Sequence, residues 1–311
     1  MRVLASVAVL VSAALGSLAL AADGPQLAGE VYPSFEIGLL SRAELKDLGP
    51  EVLATLNEKK FTREFLQGKI DEVPETERAD FEKAKPFLLA QLLQRELLAE
   101  EAAQRGALKK EDLGNEQAEN EAIRNMMMKL VDGVRLTDDE IKQAYETNKQ
   151  VFGEAEFEQV EPMLREYLRR EKQQMAVIEF MQKVAEGTAV SLDSKWAKEQ
   201  DAIMLDNPID KARKSGKVTM VEFTSENCPP CKELKPIIED MREKEKNVNI
   251  VVISVDEDQI LGMRYRVRGT PTIVYFDAAG KEVDRSEGPV TREEIAESLD
   301  AARKGAPEPE E

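Results

Sequence analysis

Near residue 205 the hydrophobic periodicity of this 311-residue chain changes, and that change dictates a two-part fold. From Thr62 to Gly187 apolar residues recur at helical spacing. Phe87, Leu88, Leu92, Leu93, Leu97 and Leu98 form one such stripe. Beyond 205, short apolar runs alternate with helical patterns. Val218 to Thr224, Asn249 to Val255, Thr272 to Phe276 and Glu282 to Ser286 read as strands; Lys232 to Glu245, Gln259 to Tyr265 and Thr291 to Arg303 read as helices. After a short opening helix from Pro208 to Lys214 the order is β-α-β-α-β-β-α, which is an α/β domain.

Within the first part, Val52 to Phe61 alternates around Asn57-Glu58 and predicts a hairpin whose turn lacks the favoured glycine. Helices are expected over about 115–131 and 157–185. Thr137 to Glu140 has the form of a capping box that opens another helix. The expected fold class is two-domain: an all-α N-terminal domain followed by an α/β domain. The boundaries are a signal peptide at 1–21, an irregular lead-in at 22–50, helices at 51–192, a linker at 193–207, the α/β domain at 208–304 and a disordered acidic tail at 305–311.

Composition removes whole classes of function. Forty-three basic residues against 61 acidic give a net charge of −18, which repels a phosphate backbone, so no nucleic-acid partner is expected. The chain has no histidine, which excludes Ser-His-Asp and Cys-His nucleophiles and every His-ligated metal. Two cysteines rule out a four-cysteine zinc site, and no metal is expected. The acidic clusters Glu96, Glu100, Glu101 and Glu154, Glu156, Glu158 read as solvated faces. At the N-terminus, Arg2 precedes an apolar run from Val3 to Leu20, and Ala19-Leu20-Ala21 fits a small-x-small cleavage site. The expectation is a periplasmic or secreted protein, or a membrane-anchored one if the segment is retained.

Cys228-Pro229-Pro230-Cys231 stands between a predicted strand and a predicted helix. A helix N-terminus offers unpaired N–H groups and partial positive charge that stabilise a thiolate. A second cysteine one turn on can attack a mixed disulfide and release the product. The other readings are an inert disulfide and a broken metal site. In the redox reading the cysteine pair is itself the cofactor, and no other is expected.

The C-terminal segment resembles the thioredoxin superfamily over about residues 206–304. The resemblance rests on Val221-Glu222-Phe223 before the C-x-x-C, Lys232 after it, Pro236 within the helix, the segment from Tyr265 to Thr272, and Gly280 and Gly288. It implies that Cys228 attacks, that Cys231 resolves, and that Pro271 is a cis-proline shaping a peptide groove. Three departures stand out. Asn227 replaces the usual tryptophan, Glu222 the buried aspartate, and Val252 the lysine that often partners it. Glu222 is therefore either a proton acceptor for Cys231 with a pKa raised by burial, or a longer side chain that reaches solvent or a backbone donor.

The helical half resembles the chaperone domain of SurA-like periplasmic folding factors. It does so in LATLNEKKFTREFL, LLAQLLQRELLAEEAAQRG, LTDDEIKQAYETNKQVFG and FEQVEPMLREYLRREKQQMAVIEFM. The parvulin-type isomerase domain that often lies between the last two stretches is missing, so the resemblance implies protein binding without isomerase activity. Met126, Met127, Met128 and Leu130 line either an adaptable client groove or, as helical stripes usually do, a core.

The sequence thus points to an exported thiol-disulfide oxidoreductase, a reductase or isomerase, acting on unfolded or folding clients held by a chaperone-like module and served by a redox partner. The competing readings are a dedicated reductase for one partner such as an apocytochrome, and a non-enzymatic holdase or scaffold with a structural disulfide.

Overall fold

A computed structural model describes residues 24–153 and 155–305. The expected signal segment, 1–21, and all but the first residue of the acidic tail lie outside the described residues.

The N-terminal unit opens with α1 (Ala28–Val31), two 3-10 turns (Pro33–Phe35 and Gly38–Arg42), strand β1 (Glu44–Lys46) and the hairpin β2 (Val52–Leu56) and β3 (Lys59–Thr62). Helices follow: α2 (Arg63–Asp71), α3 (Glu75–Lys83), α4 (Lys85–Gln104), α5 (Glu116–Asp132), α6 (Asp138–Thr147), α7 (Lys149–Phe152) and α8 (Phe157–Glu186). β4 (Val190–Asp193) and α9 (Ser194–Met204) close the unit.

The unit is helix-rich but not all-α. Its four strands form one sheet in the order β1-β4-β2-β3, with β1 parallel to β4 and the other neighbours antiparallel. β1 and β4 are three and four residues long, too short to show alternation, and they come from opposite ends of the unit. Only their pairing makes them strands. The stretch read as an irregular lead-in therefore supplies β1 and buries Phe35, Leu39 and Leu40 in the core.

The stretch read as a linker, 193–207, is corrected in the same way. Most of it is α9, capped by the Asp193 carboxylate on the Trp196 N–H at 2.9 Å. Trp196 is buried against Phe35, edge to face at 6.1 Å. The Ser34 hydroxyl donates to the Asp201 carboxylate at 2.6 Å. Only residues 205–207 are left to connect α9 to the next helix.

The hairpin forms as expected, and Asn57 takes the left-handed conformation (φ 53°) that a glycine usually supplies. Helix α4 runs through the core, with Leu89 and Leu93 fully buried. Leu98 and Ala102 of α4 meet Met126 of α5 and Phe180 of α8 in a second cluster. Met127 and Leu130 pack against that cluster, whereas Met128 is exposed. Thr137 and Glu140 form the expected capping box at α6. Glu96 and Glu100 are half-buried rather than solvated: Glu96 pairs with Lys59, and Glu100 accepts from the Asn57 side-chain amide at 3.4 Å.

The C-terminal domain comprises α10 (Pro208–Arg213), β5 (Thr219–Thr224), α11 (Pro229–Lys244), β6 (Asn249–Ser254), α12 (Gln259–Arg264), β7 (Thr272–Phe276), β8 (Glu282–Glu287) and α13 (Arg292–Lys304). The sheet order is β6-β5-β7-β8, with β5 parallel to β6 and the other pairs antiparallel. Strand alternation sorts the two faces. Met220 packs with Leu234 and Ile238 of α11 and Leu299 of α13; Val221 and Phe223 pack on the opposite face with Ile209 of α10 and Leu261 of α12. Glu222 alternates with Val221 and Phe223, so it lies on the α11 face.

Trp196 tests whether α9 belongs to the N-terminal core. Trp196→Ala should cost about 3–5 kcal/mol, the usual value for emptying a buried aromatic site, and calorimetry should show the N-terminal transition moving to lower temperature. An unchanged transition would return residues 194–204 to the status of a linker.

Candidate active site

Strand β5 delivers the chain to a loop held from the side by Asp256. Its carboxylate accepts from the Ser225 hydroxyl at 2.8 Å and from the Glu226 N–H at 2.7 Å. Those two donors, the Glu226 N–H first, hold the Asp256 carboxyl below the usual range. Cys228 follows as the N-cap of α11, with Pro229 and Pro230 as its first two helical residues. Proline suits that position because its missing N–H has no helical partner to lose. In the first turn the Cys231 N–H donates to Cys228 Sγ at 3.2 Å. The two sulfurs are joined as a disulfide, and the residues are 5% and 3% exposed. Exposure does not separate the two cysteines; their places on the helix do, since Cys228 stands ahead of the first turn and Cys231 inside it.

The Thr270–Pro271 peptide bond is cis. Phe223 pairs with Thr272, which brings Pro271 alongside the end of β5, where the Cys228 loop begins. The Pro271 carbonyl accepts from the Gly288 N–H at 2.8 Å, and the Thr272 hydroxyl donates to the Gly269 carbonyl at 2.7 Å.

Glu222 is 3% exposed and lines a cavity of about 350 Å³ together with Cys231, Lys235, Arg242 and Val252. Its carboxyl makes no hydrogen bond among the described residues, so no backbone donor holds it in the cavity it lines. Burial pushes its pKa up to about 7, against the pull of the Arg242 charge. Val252 is its register partner on β6 and offers no charge. The cation comes instead from α11, which sequence reasoning missed. Cys231, Lys235, Ile238 and Arg242 recur at intervals of four, three and four, one face of a helix, and that spacing was the available signal.

Sequence reasoning also missed Asp210. Buried on α10, it accepts from Arg264 and from Arg213, and Tyr265 donates to it at 3.4 Å. Arg213 also lies over the Phe276 ring at 4.5 Å and donates twice to the Gly280 carbonyl, at 2.9 and 2.8 Å. Gly280 has φ +79°, and a Cβ there would meet the Arg213 carbonyl oxygen at 2.9 Å, so only glycine fits. This cluster ties the segment that leads into Pro271 to the start of the domain.

Residues 205–303 match a family model described as a thioredoxin-like domain. Over 91 residues the chain is 34% identical to thioredoxin H5 of Arabidopsis thaliana, covering 29% of this chain and 75% of that protein. It is 31% identical over 91 residues to thioredoxin of Mycoplasmoides gallisepticum, covering 29% of this chain and 90% of that protein. The chain belongs to the thioredoxin family. It is also 38% identical over 78 residues to protein disulfide-isomerase erp38 of Neurospora crassa, covering 24% of this chain and 21% of that protein. As a thioredoxin-family chain with a joined C-x-x-C pair, it is in general terms a thiol-disulfide oxidoreductase.

Glu222 gives this thioredoxin-family site a testable pH dependence. An unfolded glutamate ionises near pH 4.3, whereas here the folded pKa is about 7, so between these values the folded state holds the extra proton. The stability tied to protonated Glu222 is complete below about pH 4.3 and is lost as pH rises through 7, by about 4 kcal/mol in all. Denaturant titrations of the oxidised protein from pH 4.5 to 8 should show that decline, and Glu222→Gln should flatten it. Parallel declines in both proteins would mean that another group titrates.

Proposed function

We propose that this chain is an exported reductase or isomerase of protein disulfides, acting on unfolded or folding clients held by its helical module. The observation that carries the redox part is the cavity shared by Cys231 and a buried, unpaired Glu222 under the helix that Cys228 begins. In the reduced protein the Cys228 thiolate attacks one sulfur of a client disulfide, forming a mixed disulfide and expelling the other client sulfur as a thiolate. Cys231 then gives its proton to the Glu222 carboxylate, and its thiolate attacks Cys228 Sγ. The second client sulfur leaves as a thiolate, and Cys228 and Cys231 end joined. Two electrons pass to the client, so each cycle of net reduction needs a dithiol donor; in isomerisation a client thiolate displaces Cys228 instead and no net electrons move. Pro271, beside this junction, positions the client strand. The redox-active pair serves as the cofactor.

The binding part is supported by the resemblance of the helical segments to SurA-like chaperones and by one face of α8. Met163, Tyr167, Met175 and Ile178 follow one another at intervals of four, eight and three, and all are exposed, as is Met128 on the neighbouring α5. Exposed large apolar side chains in a row are unusual on a surface that needs no partner. The apolar N-terminal run before Ala19-Leu20-Ala21 supports export, into a compartment where disulfides persist.

The helix start favours electron flow toward the client. Pro229 and Pro230 offer no N–H, leaving the Cys231 N–H as the first-turn donor to Cys228 Sγ. A poorly stabilised thiolate disfavours the reduced form and makes the dithiol a better reductant. One charge-assisted hydrogen bond, about 1.5–3 kcal/mol, moves a two-electron potential by tens of millivolts, at about 30 mV per 1.4 kcal/mol. Equilibration in glutathione buffers, read by mass, should place the pair nearer the thioredoxin value of about −270 mV than the strong-oxidant value of about −120 mV. A potential above about −150 mV would make the protein a disulfide donor.

Client holding is tested apart from exchange with the full chain carrying Cys228→Ser and Cys231→Ser. It should suppress light scattering from a denatured client that lacks cysteine, and Met163→Glu with Tyr167→Glu should weaken the suppression several-fold. No suppression across several clients would favour a dedicated docking surface for one partner.

A further inference from the structure

A cavity of about 800 Å³ lies between the N-terminal unit and the thioredoxin domain. Ile37, Phe87 and Met263 supply apolar wall, while Arg213, Arg264, Arg266, Arg268, Lys281 and Arg285 bring positive charge. Three of these cations have work elsewhere: Arg213 and Arg264 neutralise Asp210, and Arg285 pairs with Glu282 at 2.9 Å and donates to the Tyr265 carbonyl. The side chains of Arg266, Arg268 and Lys281 make no ion pair or hydrogen bond among the described residues. Three carboxylates share the wall with these six cations: Glu282, which Arg285 pairs, and Glu36 and Glu287. On a chain of net charge −18 this is a local excess of cations inside a concave, partly apolar wall, which focuses the field on whatever enters.

Two lining residues, Arg268 and Glu287, lead from the cavity toward Pro271. Arg268 is three residues ahead of Pro271, a span of about 10 Å when extended. On the other side Glu287 pairs with Thr272, and Gly288 donates its N–H to the Pro271 carbonyl. The unpaired cations come from two separate segments, the stretch before Pro271 and the turn before β8, and all three are exposed. None of the three is a buried donor of the kind that holds a phosphate or other small anion, and cations drawn from two segments suit a chain bearing several carboxylates.

We propose that this cavity seats an acidic segment of the client polypeptide, a few residues from the cysteine that Cys228 attacks. The proposal rests on the exchange chemistry above and adds a substrate class to it: disulfides flanked by aspartate and glutamate. The remaining surface of so acidic a protein repels such clients, so a preference for them has to arise at a local positive site.

Two peptides decide it, each with one cysteine in a mixed disulfide with 2-mercaptoethanol. One carries four acidic residues about four positions from the cysteine, on either side in separate versions, and the other carries lysines there. The reduced full chain should reduce the better acidic version about tenfold faster than its lysine counterpart, the size expected of three exposed ion pairs. The ratio should shrink toward one at about 0.5 M salt, where screening is short-ranged. In Arg266→Glu/Arg268→Glu/Lys281→Glu the ratio should invert, and a ratio is insensitive to any general loss of activity. If that variant does not fold, Arg268→Glu alone should lower the ratio. Equal rates, or faster reduction of the lysine peptide by the unaltered protein, would overturn the proposal and leave the exchange reading intact. If neither peptide nor dithiothreitol exchanges with the pair, the exchange reading fails. The cavity is then read by anisotropy of a fluorescein-labelled, cysteine-free acidic peptide on the oxidised protein: saturable binding weakened by Arg268→Glu supports the seat, and no binding overturns it. Displacement of that peptide by about 1 mM inorganic phosphate at constant ionic strength would mark a small-anion site and likewise overturn the client assignment.

Discussion

Strand β5 is paired along its length on both sides, to β6 in parallel and to β7 in antiparallel register, and the redox site hangs on that double pairing. Helices α11 and α13 cover one face of the strand and α10 and α12 the other, and the pairing on both edges fixes its end. The loop that leaves it, fastened by Asp256, therefore presents Cys228 at the start of α11 in one orientation. The same register sets Pro271 beside the loop. Strand β5 carries Glu222, leads into the C-x-x-C and pairs beside the cis-proline, so the three are neighbours.

Burial of Glu222 in that strand raises its proton affinity and makes the fold sensitive to its ionisation. A carboxylate without a hydrogen-bond donor in a small cavity favours the protonated form, and Arg242 offsets only part of that cost. A poised pKa near neutrality is what a proton acceptor for Cys231 needs. The same desolvation makes the folded state less stable as the group ionises. A longer acid facing a helix-borne arginine replaces the arrangement of a shorter acid and a strand-borne lysine that the family resemblance suggested.

The N-terminal unit is held by its ends. Phe35 near its start and Trp196 near its close pack edge to face, and β1 pairs with β4, so the helices between are enclosed by contacts across the whole unit. The chain then reaches α10 after three residues. So short a connection keeps the two parts adjacent, with Ala84 and Phe87 of the first packed near Met204 and Ile260, and leaves a charged cavity beside that contact.

Local patterns were enough to show the redox domain. β-branched runs spaced by helical patterns, a C-x-x-C between strand and helix and the Thr270-Pro271 segment are all features of neighbouring residues, and the fold family followed from them. The helices of the N-terminal unit were legible for the same reason, as was the Thr137–Glu140 cap. What escaped was long-range. β1 and β4 have no period to read, α9 reads as linker because its Trp196 has its partner far away at Phe35, and Asp210 reads as an ordinary residue of a first helical turn. The raised pKa of Glu222 was left open because burial, not identity, sets it. The sequence by itself determined which residues are able to exchange thiols. Only the tertiary structure decided that Glu222 is buried, which arginine stands near it and where the unpaired cations gather, because desolvation and charge proximity act through space and not along the chain.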